Sequence, residues 1–325
     1  MRIRWKTLLI ISSIILVLTF SFYFVFETAL LQKVSEDENR IAQEDLIRLK
    51  MAISSESESL DSKAADWSNW DDSYQFVEDN NTKFIDTNLV PEAFSDLKVN
   101  LMVFINNSGS VVFGKAHYLD NNTEMSIDQT AIESVINTFN YHNNSKLEGF
   151  VKTNNDTMLI VARPIVKSNY EGPEKGILIF GILFDESEII HLSNIIGLPV
   201  KLTAIDDSKM TADFLKANST LATNNSLFCT SVTETEISGY IPIKDINLKI
   251  IALASIVDSR QSYIDAKSEI LSTSMAIAAV GLIFLAVFYF SLDRFVLSRL
   301  SNLNNKVKEN LENGNKKDRN QTRGK

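Results

Sequence analysis

The chain has 325 residues, 45% of them hydrophobic, a formal net charge of −9 and a single cysteine. One cysteine excludes an internal disulfide framework, so a folded domain here rests on a hydrophobic core, with Cys229 as a small buried apolar residue. The charge is unevenly placed. Residues 1–26 and 293–325 carry 12 Lys+Arg against 4 Asp+Glu, a net of +8, whereas residues 27–269 carry 20 against 37, a net of −17. Basic residues flank apolar windows instead of forming a patch, which excludes a nucleic-acid-binding face.

Two uncharged apolar windows, residues 7–26 and 270–292, are each long enough to cross a hydrocarbon core about 30 Å thick. A cleaved signal peptide is the alternative for the first. Its apolar run is longer than an ordinary h-region and no small-x-small cleavage site follows, so it reads as a retained anchor. Positive ends and an acidic middle predict a two-pass cell-membrane protein, with both termini cytoplasmic and residues 27–269 extracytoplasmic.

Residues 27–65 contain neither Pro nor Gly. Leu46, Leu49, Ile53 and Leu60 form a narrow apolar seam, which predicts a stalk helix that pairs with a second copy or packs on its own domain. Trp67, Trp70 and Tyr74 follow at i, i+3, i+7 and predict one helical face, with Asp71 beside it. Residues 82–91 read as loop and turn, with a helix from Pro91 to Asp96. Leu101 to Ile105 and Val111 to Gly114 form a hairpin across Asn106-Asn107-Ser108-Gly109, and residues 149–152 and 158–162 form a second. A helix is expected from Ser126, as cap, to Tyr141. An apolar strand at 176–184 leads into a helix opened by Asp185 and closed by Gly197. Residues 200–205 read as a strand, 206–226 as polar and weakly patterned, and 227–233, 236–242 and 248–254 as three closing strands. From Val257 a helix is expected to run into the second span. Beyond it, Leu297, Leu300, Leu303, Val307 and Leu311 mark an amphipathic helix over 295–311. Seven Asn-x-Ser/Thr sequons begin at Asn80, Asn106, Asn121, Asn143, Asn155, Asn218 and Asn224, a number that an Asn-rich chain reaches in part by chance. Strands mixed with flanking helices predict an α+β domain with an antiparallel sheet.

The Trp70-Asp71-x-x-Tyr74 run, the 101–114 hairpin with its central Gly109, and Gly176-Ile177-Leu178-Ile179-Phe180-Gly181 leading to Phe184-Asp185 resemble the fourth type of CHASE domain. The resemblance covers roughly residues 65–253. It implies an extracellular sensory module, PAS/Cache-like in fold, with an antiparallel sheet, flanking helices and a long N-terminal helix. The segment after the second span, with Arg299-Leu300-Ser301-x-Leu303, is similar to the first helix of a HAMP relay. The family's receptors carry a kinase, cyclase or methyl-accepting output. None is expected here, which leaves a sensor acting through a separate partner or the front half of a longer receptor.

The expected organisation is thus a cytoplasmic N-terminus (1–6), transmembrane helix 1 (7–26), a membrane-proximal stalk helix (27–65), a sensor domain (66–256), a membrane-proximal helix (257–269), transmembrane helix 2 (270–292) and a cytoplasmic tail with a partial HAMP-like helix (293–325). Trp67, Trp70 and Tyr74 either line a ligand pocket or wedge the stalk onto the sheet. Asp71 either accepts a ligand ammonium or bonds a nearby backbone N–H. Arg163, after an apolar strand and before Pro164, either grips a carboxylate or phosphate with its fork or forms a structural ion pair. Phe104 and Phe180 are positioned for a PAS-like cavity or for core packing. His117, His142 and His191 are far apart in sequence and lack paired ligands, so no metal, cofactor or catalytic residue is expected, and no enzymatic activity. The expected partners are a small-molecule ligand, the lipid bilayer, a second copy of the chain and a separate cytoplasmic signalling protein. The alternative is an envelope scaffold that keeps the sensor fold without a ligand.

Overall fold

The computed structural model describes residues 2–142, 145–153, 156–207, 210–223, 226–292 and 294. The HAMP-like helix expected at 295–311 and the sequon residues Asn143, Asn155 and Asn224 lie outside the described residues.

Helix α1 (Arg2–Ser68) runs unbroken for 67 residues, none of them Gly or Pro. Three short helices follow: α2 (Asp71–Asp79), α3 (Thr82–Asn88) and α4 (Pro91–Leu97). Strands β1 (Leu101–Asn106), β2 (Val111–His117) and β3 (Glu124–Met125) precede α5 (Gln129–His142). β4 (Leu147–Lys152), β5 (Thr157–Pro164) and β6 (Gly176–Leu183) complete a six-stranded sheet in the order β3-β2-β1-β6-β5-β4. α6 (Glu186–Ile196) leads to β7 (Val200–Ala204), α7 (Ala212–Leu221), β8 (Phe228–Ser231), β9 (Glu236–Lys244) and β10 (Ile250–Ser259), whose four strands order as β7-β10-β9-β8. α8 (Gln261–Leu292) ends the described chain apart from residue 294. All strand pairs within the two sheets are antiparallel. The architecture is α+β, as predicted.

Both expected hairpins form, β1 with β2 and β4 with β5. α6 is capped by the Asp185 carboxylate, which accepts the Glu188 N–H at 3.0 Å, and closes on Gly197 at φ 77°. Four expectations are corrected. Residues 82–88 are helical because the Asn81 side chain caps the Phe84 N–H at 2.9 Å and Phe84 is buried. α5 starts at Gln129 because Asp128, not Ser126, is its cap: Asp128 Oδ1 accepts from Thr130 and Ala131 N–H. The polar stretch 206–226 holds α7, which buries only Phe214, Ala217 and Leu221. No helix starts at Val257, because β10 keeps its pairing with β9 through Ser259↔Glu236.

Alternation along the strands gives each sheet two apolar faces. On the first sheet, Met102, Phe104, Leu159, Val161, Leu178 and Phe180 join a core that includes Leu46, Leu49, Ile53 and Leu60 of α1 and aromatic residues of α2–α4. Leu101, Val103, Ile105, Ile160 and Ile179 face the other way, towards Ala131, Ile132, Val135 and Phe139 of α5. The second sheet turns Ile241, Ile243, Ala252, Ala254 and Ile256 to the same core as α1, and Tyr240 and Leu253 to α7. The stalk seam is therefore buried in its own domain, with Leu46, Leu49 and Leu60 fully inaccessible. Gly239 of β9 is required by space: a Cβ there would lie 2.9 Å from Leu46 Cγ and Cδ1.

Asp37–Arg260 form one compact unit. The start and the end of this unit are bound together. Glu38 and Arg260 are 9% and 7% exposed, with Arg260 Nε donating to Glu38 Oε2 at 2.9 Å, and the Arg260 backbone N–H donates to Thr235 O. The second unit holds the N-terminal part of α1 and α8, which among the described residues are the two helices long and apolar enough to cross a membrane. They approach closely at Gly281, where a Cβ would lie 3.1 Å from Ile15 Cγ2. Two apolar helices flanking a folded unit fit a two-pass membrane protein.

Removing one partner of a buried ion pair strands the other charge. Glu38→Ala is expected to destabilise the Asp37–Arg260 unit by about 3–5 kcal/mol, read by denaturant unfolding, with a smaller loss when Arg260→Met accompanies it.

Candidate functional site

Trp67 ends the last turn of α1, and the helix breaks at Asn69. Trp70 has extended backbone (φ −87°, ψ 131°) and precedes α2, which begins at Asp71. Trp67, Trp70 and Tyr74 therefore do not share one helical face, contrary to their spacing. The break folds the two indoles against each other, with ring centroids 5.6 Å apart in edge geometry. Trp67 packs on Phe180 at 5.9 Å, Trp70 on Phe84 at 6.3 Å, and Phe84 lies between Phe76 (4.5 Å) and Phe104 (6.0 Å). Phe104 and Phe180 are wholly buried and Trp70 is 41% exposed. These rings fill the space between the helices and the stalk face of the first sheet.

The polar candidates make internal bonds. Asp71 accepts the Ser168 N–H and Oγ–H, both at 3.0 Å, and the backbone donor holds its carboxyl below the usual carboxylate range. Tyr74 donates its hydroxyl to Pro173 O at 3.1 Å, while the Lys167 and Lys175 ammoniums lie over its ring at 5.4 and 5.9 Å. Asp71 and Tyr74 thus anchor the loop between β5 and β6 and border an open groove along α2. Arg163 is paired with Asp61 of α1: Nε donates to Oδ1 at 2.7 Å and Nη2 to Oδ2 at 2.9 Å. Lys146 adds bonds to Asp61 and Glu148. The Arg163 bond holds the Asp61 carboxyl below its ordinary range.

The opposite face of the sheet holds a different feature. Between α5 and β1, β2, β5 and β6 lies a cavity of about 70 Å³, walled by Leu101, Ala116, Val135, Met158, Ile160 and Leu183. Tyr118, Ser126, Asp128, Thr153 and Asp156 supply its polar lining. None of the seven residues singled out from the sequence lines it. Asn100, 2% exposed, braces this wall: its side chain accepts the Leu183 N–H at 2.9 Å and donates to His117 O at 3.0 Å. Among the described residues no three His, Cys, Asp or Glu converge on a metal-sized site.

Residues 52–203 match the CHASE4 domain. The matched segment starts inside the stalk helix, earlier than residue 65, and ends in β7, so β8, β9 and β10 lie outside it. Over 165 residues the chain is 26% identical to the methanogenesis regulatory histidine kinase FilI of Methanothrix harundinacea. That match spans 50% of this chain and 17% of the relative's length. Among solved structures, the chain is similar to the ligand-binding domain of the Campylobacter jejuni chemoreceptor Tlp3 in complex with L-valine (12% identity, TM-score 0.43, 74% of this chain and 98% of that one). It is also similar to the sensor domain of the Vibrio cholerae histidine kinase DctB (12% identity, TM-score 0.37, 70% and 97%). By name these two neighbours are the ligand-binding domain of a chemoreceptor and the sensor domain of a histidine kinase.

Within the CHASE4 segment, the tryptophan–aspartate run that carries the resemblance forms the joint between stalk and sheet. The cavity lining had no comparable signal, since it gathers one or two residues from each of six strands, three from one helix and others from the intervening loops. Strand alternation separates the two sheet faces but does not say which one is incompletely filled.

Arg163→Ala is expected to destabilise the domain by about 2 kcal/mol, below the ~3–5 of a fully buried pair, and to leave small-molecule binding at the cavity unchanged. Because the Asp61 pKa is depressed on folding, its stabilisation is complete above the ordinary carboxylate pKa near ~4 and is lost as the pH falls through the lowered value. Melting temperature measured against pH is therefore expected to fall less steeply below about pH 4 in Asp61→Asn than in the parent.

Proposed function

We propose that the chain is a membrane-anchored extracytoplasmic receptor, without enzymatic activity, that binds a small molecule in the cavity between α5 and the first sheet. The observation that carries this reading is the cavity itself. It lies on the α5 face of the first sheet, while the opposite face shares one core with the stalk and the aromatic wedge. The charge distribution supports cytoplasmic termini and an exterior middle. Ile47 and Met51, four residues apart and exposed on the side of α1 away from the core, support pairing of stalks in a homodimer. The kinase relative supports output through histidine-kinase signalling, whether from a separate partner or from a longer form of this protein.

In this mechanism the ligand lodges against β1, β5 and β6, which hold the stalk on their far side. A displacement of about 1–2 Å is enough to bias a packed helix pair between two states. The ligand acts only if it binds those states unequally. The Glu38–Arg260 pair makes α1 and the end of β10 move together. A second reading, a scaffold that keeps the fold without a ligand, is favoured by one observation: Asp71, Tyr74 and Arg163 are all engaged in internal bonds.

Ala131→Leu, which fills the cavity from α5, discriminates the two. Full-length protein in detergent is melted with a panel of amines, alcohols, organic acids and amino acids. The receptor reading expects at least one compound to raise the melting temperature of the parent and to lose that effect in Ala131→Leu, whose own melting temperature is no lower. Stabilisation of both proteins alike, or of neither across the panel, favours the scaffold.

A further inference from the structure

We infer that the cavity under α5 selects a small alkylammonium cation over a carboxylate of the same size, an assignment that rests on the receptor reading above. The walls set the first half of the specificity. Leu101, Val135, Ile160 and Leu183 offer only apolar surface to the body of a ligand. At about 70 Å³ the space is roughly half of the ~150 Å³ that admits benzene in an engineered apolar cavity, so it suits about four non-hydrogen atoms.

The polar lining sets the other half. Among the described residues, its charged members are two carboxylates, Asp128 and Asp156, with no Lys, Arg or His in the lining. The hydroxyls of Tyr118, Ser126 and Thr153 complete the set and are able to accept hydrogen bonds as well as donate them. Lys152, next in sequence to two lining residues, holds its ammonium against Asp206 instead. A carboxylate entering this space meets two like charges and no cationic fork, whereas an ammonium meets two acceptors of opposite charge.

One feature favours an anion, the positive end of the α5 dipole. It is already answered within the chain. Asp128 Oδ1 takes the Thr130 N–H at 3.0 Å, the Ala131 N–H at 3.3 Å and the Thr130 hydroxyl at 2.6 Å, so those donors are not presented to a ligand. Asp156 uses its backbone, not its carboxylate, to close the turn with Thr153, through bonds of 2.8 and 3.0 Å to the carbonyl and 3.2 Å from the N–H. Its charge is therefore removable without opening that turn.

Three compounds with one carbon skeleton read the charge preference: propylammonium, propan-1-ol and propionate, titrated at pH 7 into full-length protein in detergent by calorimetry and thermal melting. The expected result is saturable binding of propylammonium, at least tenfold weaker binding of propanol and none of propionate. Asp128→Asn/Asp156→Asn is expected to weaken propylammonium at least tenfold, to the level of propanol. Asn caps a helix as well as Asp does, so the double variant retains α5, and an unchanged melting temperature without ligand verifies this. Propionate binding as tightly as propylammonium, or a double variant with undiminished propylammonium affinity, overturns the assignment. If propanol or propionate binds best and Ala131→Leu abolishes that binding, the receptor reading stands and the cation preference falls. If none of the three binds, the cation preference also falls, and the receptor reading is decided by the wider panel.

Discussion

The structure depends on one stripe of one helix. Leu46, Leu49, Ile53 and Leu60 of α1 lie under both sheets at once, and the inward faces of the two sheets and the aromatic residues of α2–α4 join them in a single core. Burying each such side chain stabilises by roughly 1.5–3 kcal/mol. A change in either sheet is therefore felt by the same few turns of helix. Those turns continue without interruption into the apolar segment at the N-terminal end of α1.

Because the stalk occupies one face of each sheet, the outer faces are covered by one helix apiece, α5 on the first and α7 on the second. The two covers differ. α7 is ten residues long and buries three of them against Tyr240, whose hydroxyl bonds the Asp213 carboxylate. α5 is longer and leaves space beneath its first turns. The joint at Asn69-Trp70 has the complementary property. Its rings pack between helix and sheet, and Asp71 and Tyr74 fasten the neighbouring loop. The two faces of the first sheet thus differ, with an aromatic joint on the stalk side and a small cavity under α5 on the other.

What the sequence revealed follows the range of the interactions involved. The β1–β2 turn was legible because its chemistry is local: Asn106 Oδ1 accepts from Ser108 and Ser110 N–H, and Gly109 takes φ 79°. α6 was legible through its own cap and its own closing glycine. α3 and α7 were not, since each commits only one to three side chains to the core and their polar faces dominate the pattern. The tryptophan run misled through periodicity, because i, i+3, i+7 spacing is blind to a helix break between the first two members. Arg163 showed its capacity for a carboxylate, but its partner is 102 residues away in sequence. The seam of α1 left open whether a second chain or its own sheet covers it, and the answer came from two sheets whose strands begin about forty residues beyond its last member.

Gly239 is where the stalk rests on bare backbone. Elsewhere the helix interlocks with side chains, knob against hollow, but here Leu46 lies on a strand with no side chain to oppose it. Such a seat is smooth along the helix axis. At this point the helix lies directly on the backbone of the second sheet, and ion pairs fasten it elsewhere, Asp61–Arg163 towards one end and Glu38–Arg260 at the other. The stalk is thus held in two ways, by a buried apolar stripe along its length and by an ion pair towards each end of that stripe.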